Sequence, residues 1–174
     1  MPDIPDTIVV RRHRDLVGRR HEIWVRRGLL ALVGAVLALG LADVFGQSPT
    51  TDKAEADAAT LKIVAPASIR GGLMYQCRFD VHANRELKKA TLVLDKGWLQ
   101  GLTINTIEPS PLGEGSRNGS LVLELGHIPA GDVYSLYIQY QVNPTTVGRR
   151  SQVAELADNG KTIFRIHRKL TVFP

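Results

Sequence analysis

The sequence has only one cysteine and none of the common catalytic motifs, and these absences exclude several classes of protein. A single thiol forms no internal bridge, so the chain is not a disulfide-stapled scaffold. No Gly-x-Ser-x-Gly, P-loop or His-Glu-x-x-His motif occurs, and the five histidines show no metal-ligand spacing with one another or with Cys77. We therefore expect a protein that is not an enzyme and that uses no cofactor, no metal and no small-molecule substrate.

Large blocks of basic charge are also missing beyond the N-terminal segment. The net charge is +5, to which residues 1–27 contribute +3 through seven arginines and four acidic side chains. Asp43 contributes −1, and residues 47–174 carry 15 basic and 12 acidic side chains. So small an excess over 128 residues is not the electrostatic footprint of a nucleic-acid-binding surface, and no nucleic-acid partner is expected.

What the sequence does contain is one long apolar run. From Gly28 to Ala42 it has only Gly, Ala, Val and Leu, and the run continues through Asp43 to residue 46. As a helix, residues 28–46 measure about 28 Å, close to the thickness of a hydrocarbon core, about 30 Å. We predict a transmembrane helix here. A cleaved signal peptide ending at Gly40-Leu41-Ala42 and a buried core helix are the alternatives.

The charges that flank the run predict its orientation. Seven arginines precede it, whereas only Lys53 and Lys62 follow within about twenty residues. Because basic residues stay in the cytoplasm, the N-terminus is expected inside and residues 47–174 outside the plasma membrane. The basic cytoplasmic tail at 1–27 either lies on anionic lipid as a juxtamembrane helix or is solvated and serves only to orient the chain.

Small residues recur every four positions within the run, at Gly34, Ala38 and Ala42. This spacing allows close approach of a second helix in lipid, where packing drives association. The alternative is that Ala and Gly are simply abundant in this chain. We take the three residues as candidates for transmembrane packing.

The remainder of the chain has the period-two alternation of half-buried strands. A polar segment at 47–59 is interpreted as a flexible stalk, and an Asp158-Asn159-Gly160 turn predicts a hairpin. The predicted strands are 60–65, 73–82, 89–94, 102–107, 121–125, 133–142, 152–157 and 162–173. Seven or eight short strands without helical periodicity predict an all-β fold over 60–174, an immunoglobulin-like β-sandwich preceded by a single transmembrane α-helix.

Three positions in the predicted strands have specific interpretations. Cys77 lies on an apolar face and is expected to be a buried structural thiol. Arg168 interrupts the apolar face of the last strand, which predicts a bulge or an edge. Tyr134 is either the residue of a tyrosine corner or an ordinary core tyrosine. The segment 109–119 is expected to be a mobile loop.

Two stretches carry a resemblance to known proteins. The segment IPAGDVYSLYIQYQV and the closing LTVFP resemble the immunoglobulin-like modules of bacterial cell surfaces. The layout of basic tail, single span, stalk and one such module is similar to small single-pass membrane proteins of high-GC Gram-positive bacteria. The resemblance implies an extracytoplasmic immunoglobulin-like domain in a bacterial cell envelope, and it supplies no functional residues.

A few side chains are candidates for binding. Trp98, beside a glycine turn, either caps the core or is a binding hot spot. Arg149 and Arg150, together with Arg70, are candidates for contacting phosphate or carboxylate groups, with a solvated loop at 143–151 as the alternative.

The leading hypothesis for function is a non-enzymatic, membrane-anchored interaction domain. Its partner would be a protein of the membrane or envelope, to which the chain is an accessory subunit. One alternative is a structural module that binds anionic cell-wall polymer or lipid headgroups, and another is a secreted protein with a cleaved signal peptide.

Overall fold

The computed structural model describes residues 20–42 and 47–174, and the chain divides into two compact units. Met1–Val44 contains the helix, and Phe45–Pro174 contains the strands. The tail at 1–19 and Asp43 lie outside the described residues, so the sequence-based statements about them stay predictions.

Helix α1 spans Arg20–Leu41. It begins earlier than the predicted limit at residue 28, because residues 20–27 include neither Gly nor Pro and do not break a helix. The stretch His21–Leu41 has a mean hydropathy of 1.7 and is the one candidate membrane span in the described part of the chain. No part of this apolar stretch is buried by the rest of the structure, as a core helix would be. The two interpretations that remain are a membrane span and a signal sequence.

The second unit is a sandwich of two sheets. Its strands are β1 Pro49–Glu55, β2 Ala59–Pro66, β3 Ser68–Arg70, β4 Met74–Ala83, β5 Leu87–Leu94, β6 Leu102–Glu108, β7 Gly113–Arg117, β8 Ser120–Ile128, β9 Val133–Val142, β10 Gly148–Asp158 and β11 Lys161–Phe173. A five-stranded sheet has the order β1-β2-β4-β9-β6, and a six-stranded sheet has the order β3-β11-β10-β5-β8-β7. The β3–β11 pair is parallel.

The core lies between the sheets because every second side chain of the long strands points inward. On β4, Tyr75, Cys77, Phe79 and Val81 are buried, as the alternation predicts. All eight predicted strands are present, with ends displaced by no more than four residues. The turn at Asn159–Gly160 is also confirmed, and both of its residues have the positive φ that a tight hairpin requires.

Three further strands correct the sequence-based assignment. The predicted stalk is not flexible throughout, because β1 occupies Pro49–Glu55 and pairs with β2 along its whole length. Its alternation is hard to recognise because the inward positions include a charged residue, Asp52, beside the small Ala54. β7 lies within the predicted mobile loop at 109–119, and β3 was not predicted.

The predicted bulge at Arg168 is wrong, whereas the predicted edge is confirmed. Arg168 pairs with Gln152 in an unbroken stretch of the β10–β11 ladder, and the register shift lies farther along, between Leu156 and Ala157. On its other side β11 pairs with β3 only at residues 171–173, so Arg168 lies in an edge segment. The strand stays regular because the arginine side chain points inward, where it is fully bonded.

Candidate interaction surfaces

The side chains capable of chemistry are buried or dispersed. Within residues 20–42 and 47–174, no three His, Cys, Asp or Glu side chains are placed to hold a metal ion. Cys77 is fully buried, and this burial raises the pKa of its thiol. A protonated, inaccessible thiol is a poor nucleophile.

Burial of Cys77 makes a direct prediction about its reactivity. We expect N-ethylmaleimide to modify the native protein about 1,000-fold more slowly than the unfolded chain, because exposure of the thiol requires opening of the core. The measurement is the labelling rate by mass spectrometry, with and without concentrated urea. A Ser116→Cys variant on the exposed β7 is the control and labels rapidly in both conditions. Equal rates at Cys77 would contradict its place in the core.

Trp98 is part of the core rather than a surface hot spot. Asp95 caps the 3-10 turn at Lys96–Trp98, its Oδ1 accepting hydrogen bonds from the backbone N–H groups of Gly97 and Val153, each at 3.0 Å. This turn inserts the indole between the sheets, where it is 0% exposed and donates from Nε1 to the Val153 carbonyl at 3.1 Å. Of the two alternatives, the structure therefore supports the core residue.

Aromatic rings surround the indole. The ring centroids of Phe79 and Tyr140 lie 5.3 and 6.1 Å from Trp98. Burial raises the pKa of the Tyr140 phenol, so the hydroxyl stays neutral. Tyr134 is half-buried and its hydroxyl makes no hydrogen bond to any described residue, so it is an ordinary core tyrosine and not a tyrosine corner.

Arg168 joins this aromatic cluster and links the two sheets. Its guanidinium carbon lies 5.4 Å from the Trp98 ring centroid, and its side chain is 2% exposed. Nε donates to Asp52 on β1 at 3.1 Å, and Nη1 donates to Gln152 Oε1 at 2.9 Å. Nη2 donates to the backbone carbonyls of Ala65 and Pro66 at 3.1 and 2.9 Å. A buried charge is tolerated here because every arm of the guanidinium is paired.

The candidate arginines lie at one end of the sandwich, which we call the basic end. It comprises residues 67–73, 96–101, 143–151 and 169–174. Strand β1 starts beside this end, because its first residue, Pro49, pairs with Pro66. The basic side chains of these segments are Arg70, Lys96, Arg149, Arg150 and Lys169. The segments contain no Asp or Glu, so all of their charged side chains have the same sign.

The sheet register brings two of the predicted residues together and separates the third. Arg149 pairs with Thr171, and Arg70 pairs with Phe173, so both point outward from the six-stranded sheet two residues apart in register. Both are exposed. Arg150 follows Arg149 on the strand and therefore points to the opposite face, where it is half-buried. The adjacent arginines do not form a joint pair.

A second surface lies on the outer face of the six-stranded sheet. Three adjoining cavities of about 560, 340 and 320 Å³ form what we call the outer trough. The first two share Thr91, Glu124 and Gly160, and the last two share Val93. Small and β-branched residues line it, namely Ala90, Thr91, Val93, Gly115, Val122, Gly126 and Ala157. These side chains leave room above the strands.

The walls of the outer trough carry both signs of charge. Lys88 and Lys89 line its first cavity, and Glu155 and Arg165 line its third. Burial opposes ionisation of Glu155, but hydrogen bonds from Thr162 and Arg165 and the nearby positive charges outweigh it and lower the pKa of the carboxyl. The trough therefore offers charged side chains of both signs, including Glu124 between its first two cavities.

The small residues of α1 are exposed. Gly34 and Ala38 lie within the helix and Ala42 just follows it, so the three occupy one side at four-residue spacing. A methyl group added at Gly34 would meet no other atom within 4 Å. This side is open to a second helix, and transmembrane packing through it stays a prediction.

Several solved structures are similar to this chain at low sequence identity. No protein-family model and no curated protein matches the chain. The chain is similar to CaCohA2 from Clostridium acetobutylicum, with a TM-score of 0.45 and 11% identity over 64% of this chain and 88% of that one. It is also similar to a non-cellulosomal cohesin from Archaeoglobus fulgidus, with a TM-score of 0.42 and 12% identity over 73% and 92%.

A third similar structure is the CARDB domain of the PF1109 protein from Pyrococcus furiosus, with a TM-score of 0.36 and 12% identity over 68% of this chain and 97% of that one. In this chain, residues 47–174 form an immunoglobulin-like β-sandwich. At these identities the likeness concerns architecture alone, and the binding surfaces have to be argued from this chain.

Proposed function

We propose that the protein is a single-pass membrane protein that holds a non-enzymatic interaction domain on the extracytoplasmic side. It would act as an accessory subunit of a membrane or envelope assembly in a bacterial cell. The observation that supports this most is the division of the chain. One unit contains an apolar helix that is not buried, and the other has its own hydrophobic core, with residues from β2 to β11.

The orientation rests on the charges beside the helix. Seven arginines precede Gly28, and the described helix carries no basic residue in its last turn. This asymmetry favours a cytoplasmic N-terminus and an extracytoplasmic sandwich. A cleaved signal peptide is the competing outcome, and N-terminal sequencing of the membrane-bound chain separates the two.

The outer trough is the surface we assign to the protein partner. Its extent across four strands, β5, β7, β8 and β10, suits an extended polypeptide segment, and its small floor residues allow a backbone to approach closely. The charged side chains that line it, among them Lys88, Lys89, Glu155 and Arg165, supply specific contacts beside the small residues.

Site-specific photocrosslinking in intact cells tests this assignment. A photoreactive amino acid at Thr91, on the floor of the trough, is expected to give one discrete crosslinked species of higher mass. Gln139 is the matched control, because it is also half-buried and faces outward, but from the five-stranded sheet. The same adduct from both positions, or none from Thr91, would contradict a partner in the trough.

A further inference from the structure

We propose that the basic end of the sandwich binds the anionic phospholipid headgroups of the membrane that α1 crosses. This inference rests on the proposed anchoring by α1 and adds a second, reversible contact between the domain and the lipid. It is independent of the partner assigned to the outer trough.

Charge is distributed unequally over the domain. Five of the 15 basic side chains in residues 47–174 belong to the basic end, which has none of the 12 acidic ones. The remainder therefore carries ten basic against twelve acidic side chains and is slightly negative. Asp95, next to Lys96 in sequence, accepts from backbone N–H groups, Asp52 of β1 accepts from Arg168, and Glu155, four residues beyond Ser151, accepts from Arg165. The basic end is thus an unneutralised patch.

The exposed members of the patch are available to bind. The side chains of Arg149, Lys96 and Lys169 are exposed and make no hydrogen bond or ion pair with any described residue. Arg70 has one weak contact, from Nε to the Pro174 carbonyl at 3.4 Å. Guanidinium groups bind phosphate oxygens through two parallel hydrogen bonds, and lysine binds them as a point charge. The donor set therefore fits phosphate headgroups.

Covalent reach keeps this end near the bilayer. Seven residues, 42–48, join Leu41 at the end of α1 to Pro49 at the start of β1. Seven residues span at most about 25 Å when fully extended. Because β1 begins at the basic end, that end is the part of the sandwich closest along the chain to the membrane.

Apolar side chains accompany the basic ones. Val147 is 55% exposed and Leu73 is 42% exposed, and Met74 beside them is also exposed. Basic residues beside exposed apolar tips are the composition of surfaces that lie at the headgroup boundary, where each cation adds about 1 kcal/mol of attraction to anionic lipid.

The segments of the basic end are ordered by contacts among themselves. The Gly71 N–H donates to the Phe173 carbonyl at 2.8 Å, and the Asn143 N–H donates to the Gly101 carbonyl at 2.9 Å. The Thr146 N–H closes the loop on the Asn143 carbonyl at 2.9 Å. Binding to lipid therefore needs little ordering of these loops, which favours affinity.

The test uses the full chain reconstituted in vesicles, with an environment-sensitive fluorophore on Val147→Cys. Buried Cys77 need not be removed. We expect increased and blue-shifted emission in vesicles of phosphatidylcholine with 30% phosphatidylglycerol compared with phosphatidylcholine alone, reversed by high salt. The triple variant R70E/R149E/K169E should lower the ratio of docked to undocked domains on the order of 100-fold.

The control variant is K53E/R85E/K161E, which changes the net charge equally at exposed positions outside both the basic end and the outer trough. It should leave the emission of the Val147 label unchanged. Equal emission in both vesicle types, or an effect of the control variant as large as that of the triple variant, would overturn the proposal. A response to soluble polyglutamate and not to vesicles would mean that a polyanion, and not lipid, binds there.

Flotation of the same vesicles separates this inference from the proposed function. A chain that fails to float even with neutral vesicles is not anchored by α1, and the proposed function fails with it. A chain that floats with neutral vesicles but shows no lipid-dependent emission is anchored, and only the lipid contact is wrong.

Discussion

Replacing Arg168 with alanine is expected to lower the free energy of unfolding of the sandwich by about 3 kcal/mol. The substitution leaves the Ala65 and Pro66 carbonyls and the Gln152 side chain without their donor in the core. It also removes the cation that stacks on Trp98. The estimate is at the low end for a broken buried pair because Asp52 is one-third exposed and regains water. Urea unfolding of the full chain in micelles, followed by Cys77 labelling, measures the change.

Two companion variants separate charge from geometry at this position. Arg168→Lys keeps the charge but not the fork of five N–H donors, so we expect it to recover only part of the loss. Arg165, on the same strand as Arg168, is exposed and forms an ion pair with Glu155 on β10. Arg165→Ala should lower the free energy of unfolding by less than about 1 kcal/mol. If Arg168→Ala were no more destabilising than Arg165→Ala, the guanidinium would not link the two sheets.

Replacing Trp98 with alanine is expected to lower the free energy of unfolding by about 3–5 kcal/mol, the range for large aromatic residues in cores. The cavity would lie against Phe79 and Tyr140 and would leave the Val153 carbonyl without its indole donor. Circular dichroism of the full chain during urea unfolding measures the shift.

Trp24→Phe is the matched control for this prediction. Trp24 is 70% exposed on α1, so its replacement should leave the unfolding of the sandwich within about 0.5 kcal/mol of the parent. A Trp98→Ala protein as stable as the control would show that the indole is on the surface, as the hot-spot alternative held.

Alternation along the chain is sufficient to predict the eight longer strands. In β9, for example, Leu136, Ile138 and Tyr140 alternate with outward polar residues, and the observed bounds equal the predicted ones. The same criterion fails for β1, whose inward Asp52 is neutralised by an arginine 116 residues away. It also fails for β7, where Gly113 and Gly115 have no side chains to alternate.

The candidate surfaces were predictable only in part, because they depend on contacts between strands that are far apart in sequence. Sequence supplied the arginines but not their grouping, since Arg70 and Arg149 meet through the parallel β3–β11 pair, which no local pattern indicates. The outer trough depends on small residues from four strands and has no sequence signature. Trp98 was ambiguous because only Asp95, by capping the turn, decides that the indole points inward.

Arg168 also fixes the position of β1 in the sandwich. β1 is the first strand after α1 in the chain, and its Asp52 is tied to β11 of the opposite sheet. Because the strand buries little apolar surface, the ion pair and the ladder with β2 hold it in place. The arginine that links the two sheets therefore also attaches the first strand after α1 to the rest of the sandwich.

Accessibility of single cysteines in intact cells tests the central claim most directly. A Ser116→Cys variant places a thiol on the exposed β7, and a Thr7→Cys variant places one in the N-terminal tail. With a membrane-impermeant maleimide, the account predicts that Ser116→Cys is labelled before permeabilisation and Thr7→Cys only after it, both in a chain that stays with the membrane fraction. The reverse pattern, or recovery of the chain in the medium without its N-terminus, would contradict a sandwich held outside by α1.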